Sequence, residues 1–443
     1  MRRSILSKLE LWGKSANRKP LVLQGVRQVG KTWVLKEFGS RHYKNTAYFN
    51  FDEQPELKQY FETTKDVHRI IQNLSLVGGR PILPQETFII FDEIQECPAA
   101  LNTLKYFCEN APEYHIASAG SLLGVRVAKP STFPVGKVQF LTMYPLTFTE
   151  FLWAMGEEKI VEYIDHIDSL EPIPDIFFNQ LYEKLKMYFI TGGMPESVQA
   201  WAEKKDVGLV QEVLRDILNA YELDFSKHAE KKDVSKLGYI WASLSSQLSK
   251  ENKKFIYKAV KPGVRAREYE DALTWLCNAG LTYKIYRNAK PVLPVSAYDD
   301  LTAFKLYLVD VGLLRRLAFL DPVSFNEGNR LFVEFKGALA ENYILQSLVA
   351  QYEVVPRYWS SGSEAEVDFT IQRANDIFPV EVKSDENVRG KSLAFYDKQY
   401  APRLRIRFSL KNLKKDGNLI NIPIFLADHL EKFIALSLTR ILQ

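Results

Sequence analysis

The sequence predicts an α/β protein of several domains, and two short stretches carry that expectation. Residues 22–38, VLQGVRQVGKTWVLKEF, place Gly25, Gly30, Lys31 and Thr32 in the order G-x-x-x-x-G-K-T, which is the phosphate-binding loop. Residues 87–95, TFIIFDEIQ, are an apolar run that ends in Asp92 and Glu93.

The apolar PLVLQ before the loop reads as a buried parallel strand. After the loop, Trp33, Val34, Leu35 and Phe38 recur at helical spacing. Glycines let backbone N–H groups curl around a phosphate chain, and the new helix directs its positive end there. In this context Lys31 is expected on the β- and γ-phosphates of ATP and Thr32 on Mg2+. A carboxylate at the tip of a buried strand costs free energy unless something there needs it. Asp92 is therefore expected in the Mg2+ shell and Glu93 as the group that polarises the attacking water. A third apolar strand, YHIASAG, runs into Ser118 and Ser121, which are either γ-phosphate sensors or turn residues.

At 443 residues the chain exceeds one core and suggests two to four domains. It is 46% hydrophobic and 25% charged, ordinary for a globular protein. Its net charge of +4, from 58 basic and 54 acidic residues, is too small to mark a nucleic-acid protein by itself. Cys97, Cys108 and Cys277 form no C-x-x-C pair and the six histidines are scattered, which argues against disulfides and zinc. No apolar run approaches the length of a membrane span, and MRRSILSKLELWGK reads as an amphipathic helix, not a signal peptide. The expected compartment is the cytoplasm.

Residues 1–150 alternate strand and helix patterns, as a parallel sheet requires. Residues 151–225 read as helical, with a kink or turn at ITGGMPES, and are expected to form a helical lid. The charged run SKHAEKKDVSK is either a boundary or a solvated helix face. Within residues 226–325, helical stretches (LGYIWASLSSQL, REYEDALTWLCNAG) precede two alternating strands (LTYKIYRN, AFKLYLVD), the order of a winged helix-turn-helix. Such a fold often places a helix in a DNA groove, and Lys258, Lys261, Arg265 and Arg267 gather at that helix's start. Winged helices also serve as plain packing modules, so both readings stand.

The last segment, 326–443, carries a second constellation. In GALAENYILQSLVA, Glu341 shares the apolar face of Ile344, Leu345 and Leu348. A carboxylate in that stripe is expensive unless it is paired or coordinates a cation. EVDFTIQ puts Val367, Phe369 and Ile371 on one face and Asp368 on the other, and PVEVKS sets Glu381 and Lys383 opposite Val380 and Val382. If these strands pair, Asp368, Glu381 and Lys383 converge. Asp368 and Glu381 binding Mg2+, with Lys383 placing a water, make a phosphodiester-cleaving site; the alternative is a surface salt-bridge cluster. Beyond it, Arg403, Arg405 and Arg407 alternate with Leu404, Ile406 and Phe408. That row is either a binder of backbone phosphates or an edge strand protected by charge.

Taken together, GVRQVGKT, IIFDEIQ, SAGSLLG, GKVQFLTMYPLTFTEFL, ITGGMPE and EVDF…VEVK resemble, in order and over nearly all of the chain, a prokaryotic group of AAA+-superfamily ATPases. Members of that group carry a C-terminal domain of unknown function with a PD-(D/E)xK restriction-endonuclease-like α/β fold. The resemblance implies an AAA+-like P-loop ATPase that takes ATP and Mg2+ through Gly25, Gly30, Lys31, Thr32, Asp92, Glu93 and Ser121. It implies a homo-oligomer, since such ATPases usually take an arginine from a neighbouring subunit; Arg126 is the nearest candidate. It also implies a nuclease-like set of Glu341, Asp368, Glu381 and Lys383. Two functions are consistent with these features. One is an ATPase acting on DNA, with or without cleavage. The other is a nucleotide-controlled DNA- or protein-binding regulator whose nuclease-like domain is inactive.

Overall fold

A computed structural model describes residues 1–121, 134–250, 253–263, 265–325, 333–362, 364–384 and 390–439. The chain divides into two units, residues 2–144 with 278–280, and residues 145–277 with 281–443.

The first unit is built on a five-stranded, all-parallel sheet. Its strands are β1 (Leu21–Gly25), β2 (Asn45–Asn50), β3 (Thr87–Asp92), β4 (His115–Ser121) and β5 (Gln139–Met143), in the spatial order β2-β3-β4-β1-β5. β3 is buried throughout, as its unbroken apolar run requires. The amphipathic N-terminal stretch is a helix, Ile5–Lys14, that buries Ile5, Leu6, Leu9 and Trp12. Helix Lys31–His42 buries Val34, Leu35 and Phe38, whereas Trp33, expected on the same stripe, is 42% exposed. At 100° per residue Val34, Leu35 and Phe38 share one arc about 100° wide, and Trp33 lies about 150° from its centre.

In the second unit, helices Phe148–Ala154, Glu158–Asp165, Asp175–Thr191, Pro195–Lys204 and Val207–His228 occupy the stretch read as helical. The first begins with a capping box, Thr147 with Glu150. The turn at ITGGMPES has a specific cause. Gly192 lies at φ 66°, and a Cβ there would stand 2.1 Å from Asp310 Oδ1. Beside it the Gly193 N–H donates to Asp310 Oδ2 at 2.6 Å. Asp310 also accepts from Gln346 at 3.3 Å, so a buried carboxylate ties this turn to the helix Val333–Tyr352. The charged run at 226–236 spans a helix break: one helix ends at His228 and the next, Lys231–Leu248, follows.

Helices Lys231–Leu248, Tyr257–Val260 and Ala266–Asn278 then precede a hairpin of β6 (Thr282–Asn288) and β7 (Asp299–Leu308), in the expected order. That hairpin does not stand apart. β6 pairs in parallel with β8 (Arg357–Ser360), through Arg287 with Tyr358 and Asn288 with Trp359. The remaining strands are β9 (Glu366–Arg373), β10 (Asp376–Lys383), β11 (Arg405–Ser409), β12 (Lys414–Asp416) and β13 (Leu419–Pro423). All form one eight-stranded sheet in the order β12-β13-β11-β10-β9-β8-β6-β7. The sheet therefore runs across residue 325, where the sequence suggests a boundary. β11, read as a possible edge, lies inside the sheet between β10 and β13. No helix among the described residues is long and apolar enough to cross a membrane.

Candidate functional site

At the C-terminal tips of the parallel sheet, β1 delivers the glycine loop and β3 delivers two carboxylates. Gly25 pairs with Met143 on one side and Ser121 on the other. A Cβ on Gly25 would lie 2.4 Å from the Met143 carbonyl oxygen, so only glycine fits this approach. The loop closes on Gly30, at φ 93°, which caps helix Lys31–His42. The Lys31 ammonium folds back to donate to the carbonyls of Gly25 (3.1 Å) and Val26 (3.0 Å). Burial pulls its pKa from 10.5 to about 8, against the opposing attraction of Glu93 and Asp92.

The Thr32 hydroxyl donates to Asp92 Oδ2 at 2.7 Å, which brings the two expected Mg2+ residues together. Sequence reasoning missed a third member: the Tyr48 hydroxyl donates to the same oxygen at 2.8 Å. Burial and then the Asp92 hydrogen bond push that phenol well above its ordinary pKa. Only the β2–β3 register, with Asn50 beside Asp92, predicts this contact. Glu93 sits just past β3 in the left-handed region, φ 49°. Backbone strain of this kind, about 1–3 kcal/mol for a non-glycine residue, clusters at functional sites. Of the two serines, Ser121 lies at the tip of β4 beside Gly25, but Ser118 is fully buried lower in the sheet, beside Val22 and Phe91. Ser118 therefore lies too deep in the sheet to face a γ-phosphate. Arg126 lies outside the described residues.

The second constellation assembles on one face of the eight-stranded sheet. β9 and β10 pair antiparallel as far as Phe369 with Val380, and past that point the Asp368 carboxylate accepts the Val382 N–H at 2.8 Å. Glu381 is 2% exposed and pairs with Lys383 at 3.0 Å. Its second oxygen, Oε2, is buried without a hydrogen-bond partner. Glu341 is 4% exposed. One of its oxygens pairs with the Lys253 ammonium and the other accepts the Tyr307 hydroxyl at 2.9 Å. Lys305, 1% exposed, pairs with Glu366 at 2.6 Å.

These contacts set the local titration. Burial alone would raise the Glu341 pKa, but the Lys253 and Lys305 ammoniums more than offset it and hold the carboxyl below its ordinary value. Burial, reinforced by Glu341, pushes Asp368 up to about 7. Burial would lower Lys383, yet Glu381 and Asp368 raise it. The four expected residues therefore meet, but together with Lys253, Lys305, Tyr307 and Glu366. Among the described residues no group of three His, Cys, Asp or Glu side chains is placed to hold a metal ion. Glu341, Asp368 and Glu381 are thus not gathered as a three-carboxylate metal site in this arrangement.

The arginine row is engaged internally. Arg403 pairs with Asp376 at 2.8 Å, Arg405 donates to Asn418 at 2.7 and 3.0 Å, and Arg407 donates to Asn421 at 2.9 Å. In contrast, Lys258, Lys261, Arg265 and Arg267 are all exposed.

Residues 17–152 match a family model described as an AAA domain. Residues 182–324 and 336–425 match two models described as domains of unknown function, DUF8612 and DUF4143. No curated protein matches. Similar solved structures include a Walker-type ATPase of Pyrococcus abyssi, 14% identical over 72% of this chain and 95% of that one, with a TM-score of 0.46. Also similar are the Orc1 protein of Aeropyrum pernix in complex with DNA (12% identical, 72% and 91% covered, TM-score 0.26) and RuvB of Thermotoga maritima (15%, 64% and 89%, 0.30).

Proposed function

We propose that the chain is an ATP-binding and ATP-hydrolysing AAA-type ATPase that acts on DNA, and that its nuclease-like part does not cut in the arrangement described. The observation that carries the first part is the meeting of Lys31, Thr32, Asp92 and Glu93 at the tips of β1 and β3. In this reading the loop N–H groups and Lys31 hold the phosphates, Thr32 and Asp92 hold Mg2+, and Glu93 orients and polarises the attacking water. Bound Mg2+ supplies charge neutralisation between the phosphates. Release of the Lys31 ammonium from the Gly25 and Val26 carbonyls frees it for the nucleotide.

DNA as the partner is supported by the exposed Lys258, Lys261, Arg265 and Arg267 around the start of helix Ala266–Asn278, followed by the hairpin in winged-helix order. The absence of cleavage is supported by the lysines that neutralise Glu341 and Glu366. The test is the ATPase rate with no DNA and with single-stranded, double-stranded and branched DNA, alongside a cleavage assay on the same substrates. Stimulation by one DNA form without cleavage is expected. A rate indifferent to all DNA forms overturns the DNA partner, and no hydrolysis under any condition overturns the enzyme. ATP-dependent self-association, measured by light scattering, tests the expected homo-oligomer.

A further inference from the structure

Gln95, the last residue of TFIIFDEIQ, stands against the carboxylate of Glu93. The left-handed backbone of Glu93 bends the chain out of β3 into a turn of 3-10 helix, Ile94–Glu96, closed by the Glu96 N–H on the Glu93 carbonyl at 2.9 Å. Ile94 is fully buried and fixes this turn, which packs against β4, the strand that ends at Ser121. Gln95 therefore reaches Glu93 from a rigid support, and its Nε2 donates to Glu93 Oε2 at 2.5 Å.

The chemistry of the pair fixes which way the amide points. An ionised carboxylate only accepts, so the NH2 end must face Glu93, and the reverse orientation would set oxygen against oxygen. That leaves Gln95 Oε1 on the other side, buried and without a hydrogen-bond partner among the described residues. A buried acceptor without a donor is costly, whereas one in solvent costs nothing. A side chain that only braced Glu93 would turn this oxygen to bulk solvent. Its burial beside Glu93 calls for a donor that arrives with the ligand.

ATP brings few donors to such a place. Its γ-phosphate oxygens are acceptors, but the attacking water has two O–H groups, and both need acceptors if a lone pair is to face phosphorus. We propose that Gln95 is a second catalytic residue of the ATPase site, its buried Oε1 accepting one O–H of the attacking water while Glu93 Oε1 accepts the other. The water oxygen bonds to the γ-phosphorus, and the bond from that phosphorus to the β,γ-bridging oxygen breaks. One water proton passes to Glu93 and then to solvent, the other stays on the inorganic phosphate, and Gln95 neither gains nor loses a proton. The inference rests on the ATPase reading of this site and adds a residue to it.

The experiment compares the full chain as wild type, Gln95→Met and Gln95→Ala, with and without DNA. Methionine keeps the length of the side chain but carries no donor and only a weak acceptor. Three quantities are read: affinity for a fluorescent ATP analogue, the single-turnover hydrolysis rate, and affinity for MgADP with beryllium fluoride or with aluminium fluoride. The beryllium adduct imitates bound ATP, whereas the planar aluminium adduct is completed by the axial water. Both variants should bind the ATP analogue and the beryllium adduct within about twofold of wild type, because Gln95 acts on the water alone. Hydrolysis should fall about tenfold or more, and affinity for the aluminium adduct by a similar factor, the weight of one hydrogen bond to the reacting water. If Gln95→Met does not fold, Gln95→Ala is read in its place. Equal losses in every measurement, or failure of both variants to fold, would make Gln95 a structural brace and overturn the proposal. An unchanged rate in a folded variant overturns it, and so does a faster one, since Gln95 would then be holding Glu93 idle. Wild type that hydrolyses no ATP under any condition is a separate outcome: it overturns the ATPase reading itself, whereas an active wild type with an equally active variant overturns only the role of Gln95.

Discussion

Lys31 should make nucleotide binding pH-dependent in a range where an ordinary lysine does nothing. Its ammonium is half-buried in the loop and has a pKa of about 8 in the free protein, instead of 10.5. Phosphates bind the protonated form, so affinity follows the fraction protonated before binding. That fraction is roughly ten-elevenths at pH 7 and roughly one-eleventh at pH 9 for a pKa near 8. The dissociation constant for MgATP should therefore rise about tenfold between these values, or about 1.4 kcal/mol. Folding stability carries the opposite sign. Between pH 8 and 10.5 the unfolded chain holds the proton that folded Lys31 has lost, so this group's contribution to stability rises with pH across that window. The assay is titration of a fluorescent ATP analogue at constant ionic strength and saturating Mg2+, with a thermal melt of the nucleotide-free protein at each pH. An affinity constant within twofold from pH 7 to 9 would refute the reasoning, because the free ammonium would then be no harder to charge than a solvated one.

Glu93→Gln should bind ATP within about threefold of wild type but lose at least ~100-fold in turnover, since an amide cannot polarise the water; normal single-turnover hydrolysis would move that role elsewhere. Gly192→Ala should cost roughly 2–4 kcal/mol, combining a strained positive φ with overpacking against Asp310. Denaturant unfolding measures this, and an unchanged midpoint would mean that the turn relaxes freely. Replacing Lys258, Lys261, Arg265 and Arg267 together by alanine should weaken DNA binding regardless of sequence and lower the salt slope by up to about 3–4 units, as exposed phosphate contacts do. An unchanged slope in that variant would remove this face from the DNA contact.

What could be read from the sequence depended on how local its cause was. Lys31 and Thr32 follow from one turn of chain, and Asp92 from one buried strand, so the motif found them and the Thr32–Asp92 hydrogen bond unites them. The strand alternation also set Asp368, Glu381 and Lys383 on one face, where Lys383 pairs with Glu381 and the Asp368 carboxylate accepts the Val382 N–H. Tyr48 was invisible because its role depends on the β2–β3 register, and an aromatic residue in a strand is ordinary. Lys305 and Tyr307 were assigned to a wing, and only the parallel β6–β8 pairing carries them to Glu341 and Glu366. A lysine inside AFKLYLVD was the available signal, since an unpaired charge in a buried strand demands a partner. The arginine alternation was real, but β13 covers the flank that made β11 look like an edge, and asparagines on that side take up Arg405 and Arg407.

The shared sheet also decides what can be separated. A fragment beginning near residue 325 would keep β8 to β13 but lose β6 and β7, leaving the short β8, Arg357–Ser360, as an open edge. Unpaired edges of this kind invite association with other chains. The fragment would also lose Asp299, which accepts from Arg357 at 3.0–3.2 Å, together with Lys253, Lys305 and Tyr307. Glu341 would then be a buried carboxylate without its cation or its hydroxyl donor, a change that typically costs ~3–5 kcal/mol. The regions that match two separate family descriptions, 182–324 and 336–425, thus contribute strands to one sheet and partners to the same buried ion pairs. A metal effect seen in the isolated C-terminal piece would report on carboxylates stripped of Lys253 and Lys305, so the chemistry of this cluster belongs to the intact chain.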